Sequence, residues 1–532
     1  MTLAVPAPAT PLVRLVDPQA LHQSLAGTGE IALLDVREEG QFGEGHLFLA
    51  VNAPYSRLEL DIAALAPRRA VPVVLLDDGD GVAERAAQRF AALGYGDVAV
   101  LAGGVPAWVA AGHQVYKSVN SRLKAFAEVV EHAFHTPAIA AAELDRLKRA
   151  GTDLVVLDTR TPEEFARFHV PGAVSCPGAD LVLKFDRFVT SPDQLVVVSC
   201  AGRTRGIIGA QSLIDAGVPN RVAALAGGTQ GWRLAGLTLE TGAVDAVEIA
   251  APPPARARAD EVRRRYGVPL VETATLAGWL GGAGDARTTF LFDLRAAAAR
   301  AARPVPAAVA APGGQLVQAL DRWVGVQRAR IVLFDDDGVR AAMTAHWLIQ
   351  LGEDVHVHEG VPEGLPGPAP ALPPIAVEQV TPEVAAALLA AGGRALSLDP
   401  SAAYRTGHAA GALWTIRPQI PALPAAVLGA TAIVLFAQDV AVADLAALDL
   451  KAVSQARIVA VEGGLSAWRG AGLPVEASPA VPPDDARIDY LFWAHDRHDG
   501  NPDAMRTYLG WEEQLPAQIQ AEIAGGGFRL VR

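Results

Sequence analysis

The chain has 532 residues, 51% of them hydrophobic, and a formal net charge of −13 at pH 7. That length exceeds what one hydrophobic core organises and predicts three to five domains. No apolar run approaches the ~18 residues of a membrane span, the acidic balance argues against general affinity for nucleic acid or anionic membrane, and two cysteines, Cys176 and Cys200, exclude a disulfide framework and fit a reducing compartment.

The opening MTLAVPAPATPLVRL lacks a basic n-region and an unbroken apolar h-region, so no secretory signal is expected and a cytoplasmic location follows. The first self-similar block is IALLDVREEGQFGEGHLFLAVNAP, Ile31 to Pro54, which matches LVVLDTRTPEEFARFHVPGAVSCP, Leu154 to Pro177. Asp35, Arg37 and His46 align with Asp158, Arg160 and His169. Weaker copies start at Thr289 and Ala395, where Asp293 and Asp399 hold the strand-end position. A second block recurs as VAVLAGGVPAW, VAALAGGTQGW and IVAVEGGLSAW, ending at Trp108, Trp232 and Trp468, while the third copy keeps only VHVHEGVPEG. Between the blocks lie the apolar runs VVLLDD, VVVSCA, IVLFDD and AIVLFA, which read as buried strands.

The second copy shows the order of elements best. Thr136 is a candidate N-cap, Pro137 the first helical residue and Gly151 the stop of a helix, followed by strand LVVLD, helix PEEFARF, strand LVVVSC, a helix ending at Gly217 and strand VAAL. Alternating strands and helices predict a parallel sheet covered on both faces. The basic run Arg256 to Arg265 after APPPA reads as a solvated linker, and His495 and His498 as solvated turn residues rather than a metal pair. The tail from Asp484 is aromatic, partly helical and unlike the repeats.

In CAGRTRG the thiol of Cys200 ends a buried strand, and the following residues open a helix whose backbone amides can converge on one point. Arg203 and Arg205 add positive potential, and thiols in such settings have pKa values of about 3.5–7.5, so a thiolate is expected at neutral pH. At the aligned positions stand Asp77, Asp335 and Ala437, none of which offers a thiol nucleophile. Cys176, in VSCPG, is read as a packing residue, and Asp158 and Arg160 as structural support because they recur where no nucleophile exists.

The strand-end D-x-R, the H-V-P-G-A segment, the strand-end Cys and the G-G-x-x-x-W block together resemble the rhodanese superfamily over roughly residues 10–480, and the whole resembles bacterial proteins with four tandem rhodanese domains that act as thiosulfate sulfurtransferases. The resemblance implies four α/β domains, each a central mostly parallel sheet flanked by helices: 1–118, 119–250, 251–372 and 373–480, with a partly helical tail at 481–532. It further implies a Cys200 persulfide charged by a small anionic donor such as thiosulfate and discharged to cyanide or a thiol, with Ala201, Gly202, Arg203, Thr204, Arg205 and Gly206 binding the donor and the bound sulfur. No metal or organic cofactor is called for. The three domains without Cys are expected to serve architecture, partner binding, self-association or shielding of the Cys200 site. The rivals are a phosphatase or arsenate reductase, whose loop places Arg one position further from Cys than Arg205 stands, a mercaptopyruvate-specific enzyme, whose usual loop differs from AGRTR, and a non-enzymatic scaffold or protein-persulfide relay.

Overall fold

The structure is a computed structural model that describes residues 13–242, 248–282, 287–367, 376–498, 500–524 and 527–531. The opening twelve residues and the expected boundary at 372–373 thus lie outside the described residues. The protein is mixed α/β, with parallel sheets flanked by helices, and it divides into two compact units. No helix among the described residues is long and apolar enough to cross a membrane.

One unit joins residues 31–119 to 370–493, with the N-terminal segment. It holds two five-stranded sheets. In the first the strand order is Arg14–Val16, Val98–Leu101, Val73–Leu76, Ala32–Asp35, Val51–Asn52, and in the second Glu378–Val380, Arg457–Val461, Ala432–Phe436, Arg394–Ser397, Leu413–Trp414. The central strands are buried on both faces, which is why they read as unbroken apolar runs. Within this unit Arg417, 1% exposed, bonds to Asp449 and to Glu59, whose carboxyl burial would raise but the guanidinium holds low.

The other unit joins residues 120–369 to 494–532. Its five-stranded sheet runs Ala138–Ile139, Val222–Leu225, Leu195–Ser199, Leu154–Asp158, Val174–Ser175, and a four-stranded sheet runs Val309–Ala310, Thr289–Asp293, Arg330–Phe334, Asp354–His358. The expected helix start at Thr136 is a correction. Ala138 and Ile139 form an edge strand paired with Ala224 and Leu225, the Thr136 hydroxyl donates to Gln211, and the helix begins at Ala141. The stop at Gly151 holds, with φ at +70°. The linker reading of the basic run is also corrected: Pro253–Arg265 is a helix, opened by proline, that buries Ala255, Ala259 and Val262 at helical spacing and ties Arg258 to Asp186.

Each repeat motif has a local physical job. Arg160 grips both oxygens of Asp158 at 2.9 and 2.8 Å and donates to the Phe168 carbonyl, closing the loop after the strand. Arg37 does the same with Asp35 and the Gly45 carbonyl, and Arg295 with Asp293 and the Arg303 carbonyl. His169 stacks on Phe165, with centroids 3.8 Å apart, and its Nδ1 lies 2.9 Å from the Phe165 carbonyl, as His46 does on Phe42. The block tryptophans are buried and donate to carbonyls six positions on, Trp232 to Thr238 at 2.9 Å.

Candidate active site around Cys200

The strand Leu195–Ser199 delivers Cys200 to the sheet's C-terminal edge, and the helix Thr204–Asp215 starts four residues later. Between them the backbone turns around the thiol. The Gly206 amide faces Cys200 Sγ and favours its ionised form, and a Cβ added at Gly206 would lie 3.5 Å from the sulfur. Among the described residues the amides of Ala201 to Arg205 make no hydrogen bond, so the loop offers donors that no described group uses.

The second glycine of the G-G pair holds this loop in place. Gly228 has φ of +53°, and a Cβ there would overlap the Cys200 carbonyl, so only glycine permits the approach. The Thr229 amide then donates to the Cys200 carbonyl at 2.8 Å, and the Gln230 amide and side chain both donate to the Ala201 carbonyl at 3.2 Å. Sequence reasoning missed Gly228, Thr229 and Gln230 as loop-holding residues, although the invariant spacing of the glycine pair in three repeats was their signal.

Two expectations about the chemistry are corrected. Cys200 is 2% exposed, and burial pushes its thiol up to about 11, with Arg205 and the Gly206 amide only partly opposing it. The two arginines also do not converge on the thiol. Residues two apart on a helix point roughly 200° apart. Arg203 accordingly turns away to Glu128 at 2.8 Å, to Glu131 and to Glu513 at 3.3 Å. Arg205 faces the thiol's side but is gripped by Glu164 at 2.6 and 2.8 Å, and although burial would raise that carboxyl, the guanidinium holds it at about 2. Thr204 donates its hydroxyl to Glu512 at 3.3 Å.

The C-terminal helix Pro502–Gln518 packs on this loop. A Cβ at Gly202 would meet Glu512 Oε2 at 3.2 Å, Gln230 Nε2 at 3.4 Å and Tyr508 Cε1 at 3.6 Å. Lys124, whose ammonium lies 5.3 Å from the Tyr508 and Trp511 rings, is brought down to about 7 by burial. His498 is a correction to the solvated reading: burial lowers it to about 4 and its Nδ1 is enclosed, whereas His495 is 46% exposed. Cys176 is fully buried with its thiol raised by burial, and its amide donates to the Asp158 carbonyl.

The aligned loops are filled differently. Asp77 accepts the Gly79 and Ala83 amides, each at 2.9 Å, and Asp335 accepts those of Gly338 and, at 3.1 Å, Ala341. Ala83 and Ala341 stand six positions after the aspartate, as Gly206 stands after Cys200. The carboxylate thus takes the donor that the thiol takes in the Cys200 loop. Ala437 has no acceptor in its own side chain, and Asp399 accepts the Gln438 amide at 2.7 Å instead.

These features define a class: tandem α/β domains, one of which presents a cysteine inside a short cradle of backbone amides at a helix start. The family model for the rhodanese-like domain matches residues 17–111 and 140–235. The crystal structure of thiosulfate sulfurtransferase from Pseudomonas aeruginosa is 40% identical, with 98% of this chain and 100% of that one covered and a TM-score of 0.89. A stretch of 107 residues, 20% of this chain, is 35% identical to an HTH-type transcriptional regulator of Mycobacterium tuberculosis, and spans 46% of that protein's length. The chain belongs to the rhodanese family, and these likenesses support an activity of the sulfurtransferase type.

Proposed function

We propose that the protein moves sulfane sulfur from a small anionic donor such as thiosulfate to cyanide or a thiol, through a persulfide on Cys200. The observation that carries this reading is the thiol held inside a loop whose amides, Ala201 to Arg205, have no partner among the described residues. The sulfur of Cys200 attacks the outer sulfur of the donor, the donor's S–S bond breaks, and sulfite leaves with the electron pair. The free amides and the Gly206 donor then receive the persulfide anion, and Arg205 supplies the fixed cation. A small donor suits a sulfur that is 2% exposed better than a protein persulfide does. A cytoplasmic setting, which keeps both unpaired cysteines reduced, fits the same reading.

The test is Cys200→Ser against Cys176→Ser in thiosulfate-to-cyanide transfer, with mass spectrometry of the protein after thiosulfate alone. Loss of transfer and of the one-sulfur adduct in the first variant, with both retained in the second, is the expected result. Wild-type turnover in Cys200→Ser would overturn the assignment.

A further inference from the structure

Beyond Trp493 the chain leaves the unit of the fourth repeat, and residues 494–532 belong to the unit that holds Cys200. There the helix Pro502–Gln518 packs on both turns of the site. A Cβ on Gly227 would meet Leu509 Cδ1 at 3.2 Å, Glu513 holds Arg203 at 3.3 Å, and Glu512 Oε1 accepts the Thr204 hydroxyl at 3.3 Å and the Tyr508 hydroxyl at 2.9 Å. The other oxygen, Oε2, is buried, has no hydrogen-bond partner among the described residues, and lies 3.2 Å from where a Cβ on Gly202 would be. A carboxylate oxygen without a donor thus stands beside a loop whose amides, Ala201 to Arg205, have no acceptor among the described residues, and the two are not bonded to each other. Glu512 covers the loop without filling it. In the first and third repeats the corresponding loop is closed by its own carboxylate, Asp77 or Asp335, whereas in the second the carboxylate comes from the tail.

We propose that Glu512 is a specificity-determining residue of the Cys200 site: its carboxylate covers the amide loop, so that small neutral molecules pass to the sulfur and an anion enters only by displacing it. The acceptors favoured are then of one class, small and uncharged, such as hydrogen cyanide or a short neutral thiol, and anionic peptide thiols are disfavoured. The reason is that like charges set against each other in a site with little water repel strongly enough to reject a ligand. Burial opposes the charged form of Glu512, and Lys124, the Tyr508 hydroxyl, Arg203 and Arg497 favour it. Size is limited as well, because Ala201 and Gly202 are buried and Cys200 is 2% exposed, so a bulky reagent meets the helix first. The consequence for the acceptor rests on the sulfurtransferase reading above, while the cover itself is a matter of access to the thiol.

Alkylation reads the cover without any sulfur transfer. Iodoacetate and iodoacetamide are alike in size and differ by one charge, so a change in the thiol's own reactivity moves both rates and cancels in their ratio. The two rates are followed at Cys200 by peptide mass spectrometry in the full chain, for wild type and Glu512→Gln. The expected iodoacetate-to-iodoacetamide ratio is about tenfold below that of the neutral thiol N-acetylcysteinamide in wild type, and rises about fivefold or more in Glu512→Gln. Discharge of the persulfide by glutathione, which is anionic, should likewise quicken more in Glu512→Gln than discharge by 2-mercaptoethanol. An unchanged ratio in Glu512→Gln, for alkylation or for discharge, overturns the proposal and leaves the carboxylate a packing partner of Lys124 and Tyr508. If Glu512→Gln fails to fold, wild type decides: an uncovered cradle of amides attracts the anion, so an alkylation ratio at or above that of the free thiol refutes the cover, and one well below it supports the cover. An alkylation ratio that behaves as expected in a protein that gains no sulfur from thiosulfate would instead overturn the function proposed above.

Discussion

Replacing Asp77 by Ala empties a cradle that the protein fills with its own carboxylate. Asp77 is 1% exposed, and each of its oxygens accepts one amide at 2.9 Å. The two amides fare differently once it is gone. Gly79 is exposed and its N–H passes to water, whereas Ala83 is buried in the first turn of the helix Val82–Ala92 and loses its partner. A hydrogen bond to a charged group contributes about 1.5–3 kcal/mol and a stranded buried donor costs about 1–3, so the substitution should destabilise the unit by roughly 2–4 kcal/mol. In a cooperative block of 150–250 residues that is a fall in Tm of roughly 4–16 °C. Asp77→Asn keeps one acceptor oxygen but sets an NH2 against an amide donor, and should lose about half as much. Differential scanning calorimetry of the three proteins is the assay. A Tm for Asp77→Ala within about 1 °C of wild type would refute the claim that the carboxylate holds the loop.

Three further outcomes follow from the same geometry. Arg203→Ala strands Glu128, which burial already raises to about 7, and should cost about 3–5 kcal/mol in chemical denaturation while leaving the thiosulfate dependence of persulfide formation unchanged; Arg205→Ala should raise that dependence severalfold. Burial raises Asp335 from 3.8 to about 6, so the folded state binds that proton more tightly, and stability must fall as pH rises from about 4 to 6 by about 3 kcal/mol; Asp335→Asn should abolish that slope, and equal slopes by urea titration would count against it. Cys200→Asp should melt no lower than Cys200→Ala, because a carboxylate can take the Gly206 amide as Asp77 takes that of Ala83, and a lower Tm for the aspartate would break the analogy.

What the sequence discloses about this protein is governed by distance along the chain. The D-x-R fork, the central strands and the Cys200 loop are local patterns in which the residues named together also touch, and each was legible. Ala138–Ile139 was not, because a two-residue edge strand exists only through a partner more than eighty positions away, and local signals at Thr136 and Pro137 favoured a helix. The divergence of Arg203 from Arg205 depends on which carboxylates surround each, and Glu128, Glu131 and Glu164 lie too far off in sequence to be weighed. The thiol's high pKa has the same origin, since the amide cradle is local but the burial that overrides it comes from the whole unit. Glu512 left one trace: in the helix whose buried face is Met505, Tyr508, Trp511 and Leu515, it is a carboxylate in an otherwise apolar stripe.

The four loops also bear on why copies without the cysteine keep the same turn. A strand that ends against a helix start leaves several amides pointing inward, and the second glycine of the G-G pair brings a neighbouring turn onto the loop's first carbonyl whichever residue stands there, Asp77, Cys200 or Ala437. The fold therefore produces the cradle before any chemistry is asked of it. Something must occupy the donors, and aspartate does so at 77 and 335 through the amide six positions on, the position that Gly206 holds after Cys200. At Ala437 the donors find substitutes next door, Asp399 for the Gln438 amide and Asp439 for that of Ala441. Aspartate and cysteine are on this view alternative fillings of one backbone site, and only the cysteine brings a sulfur to it.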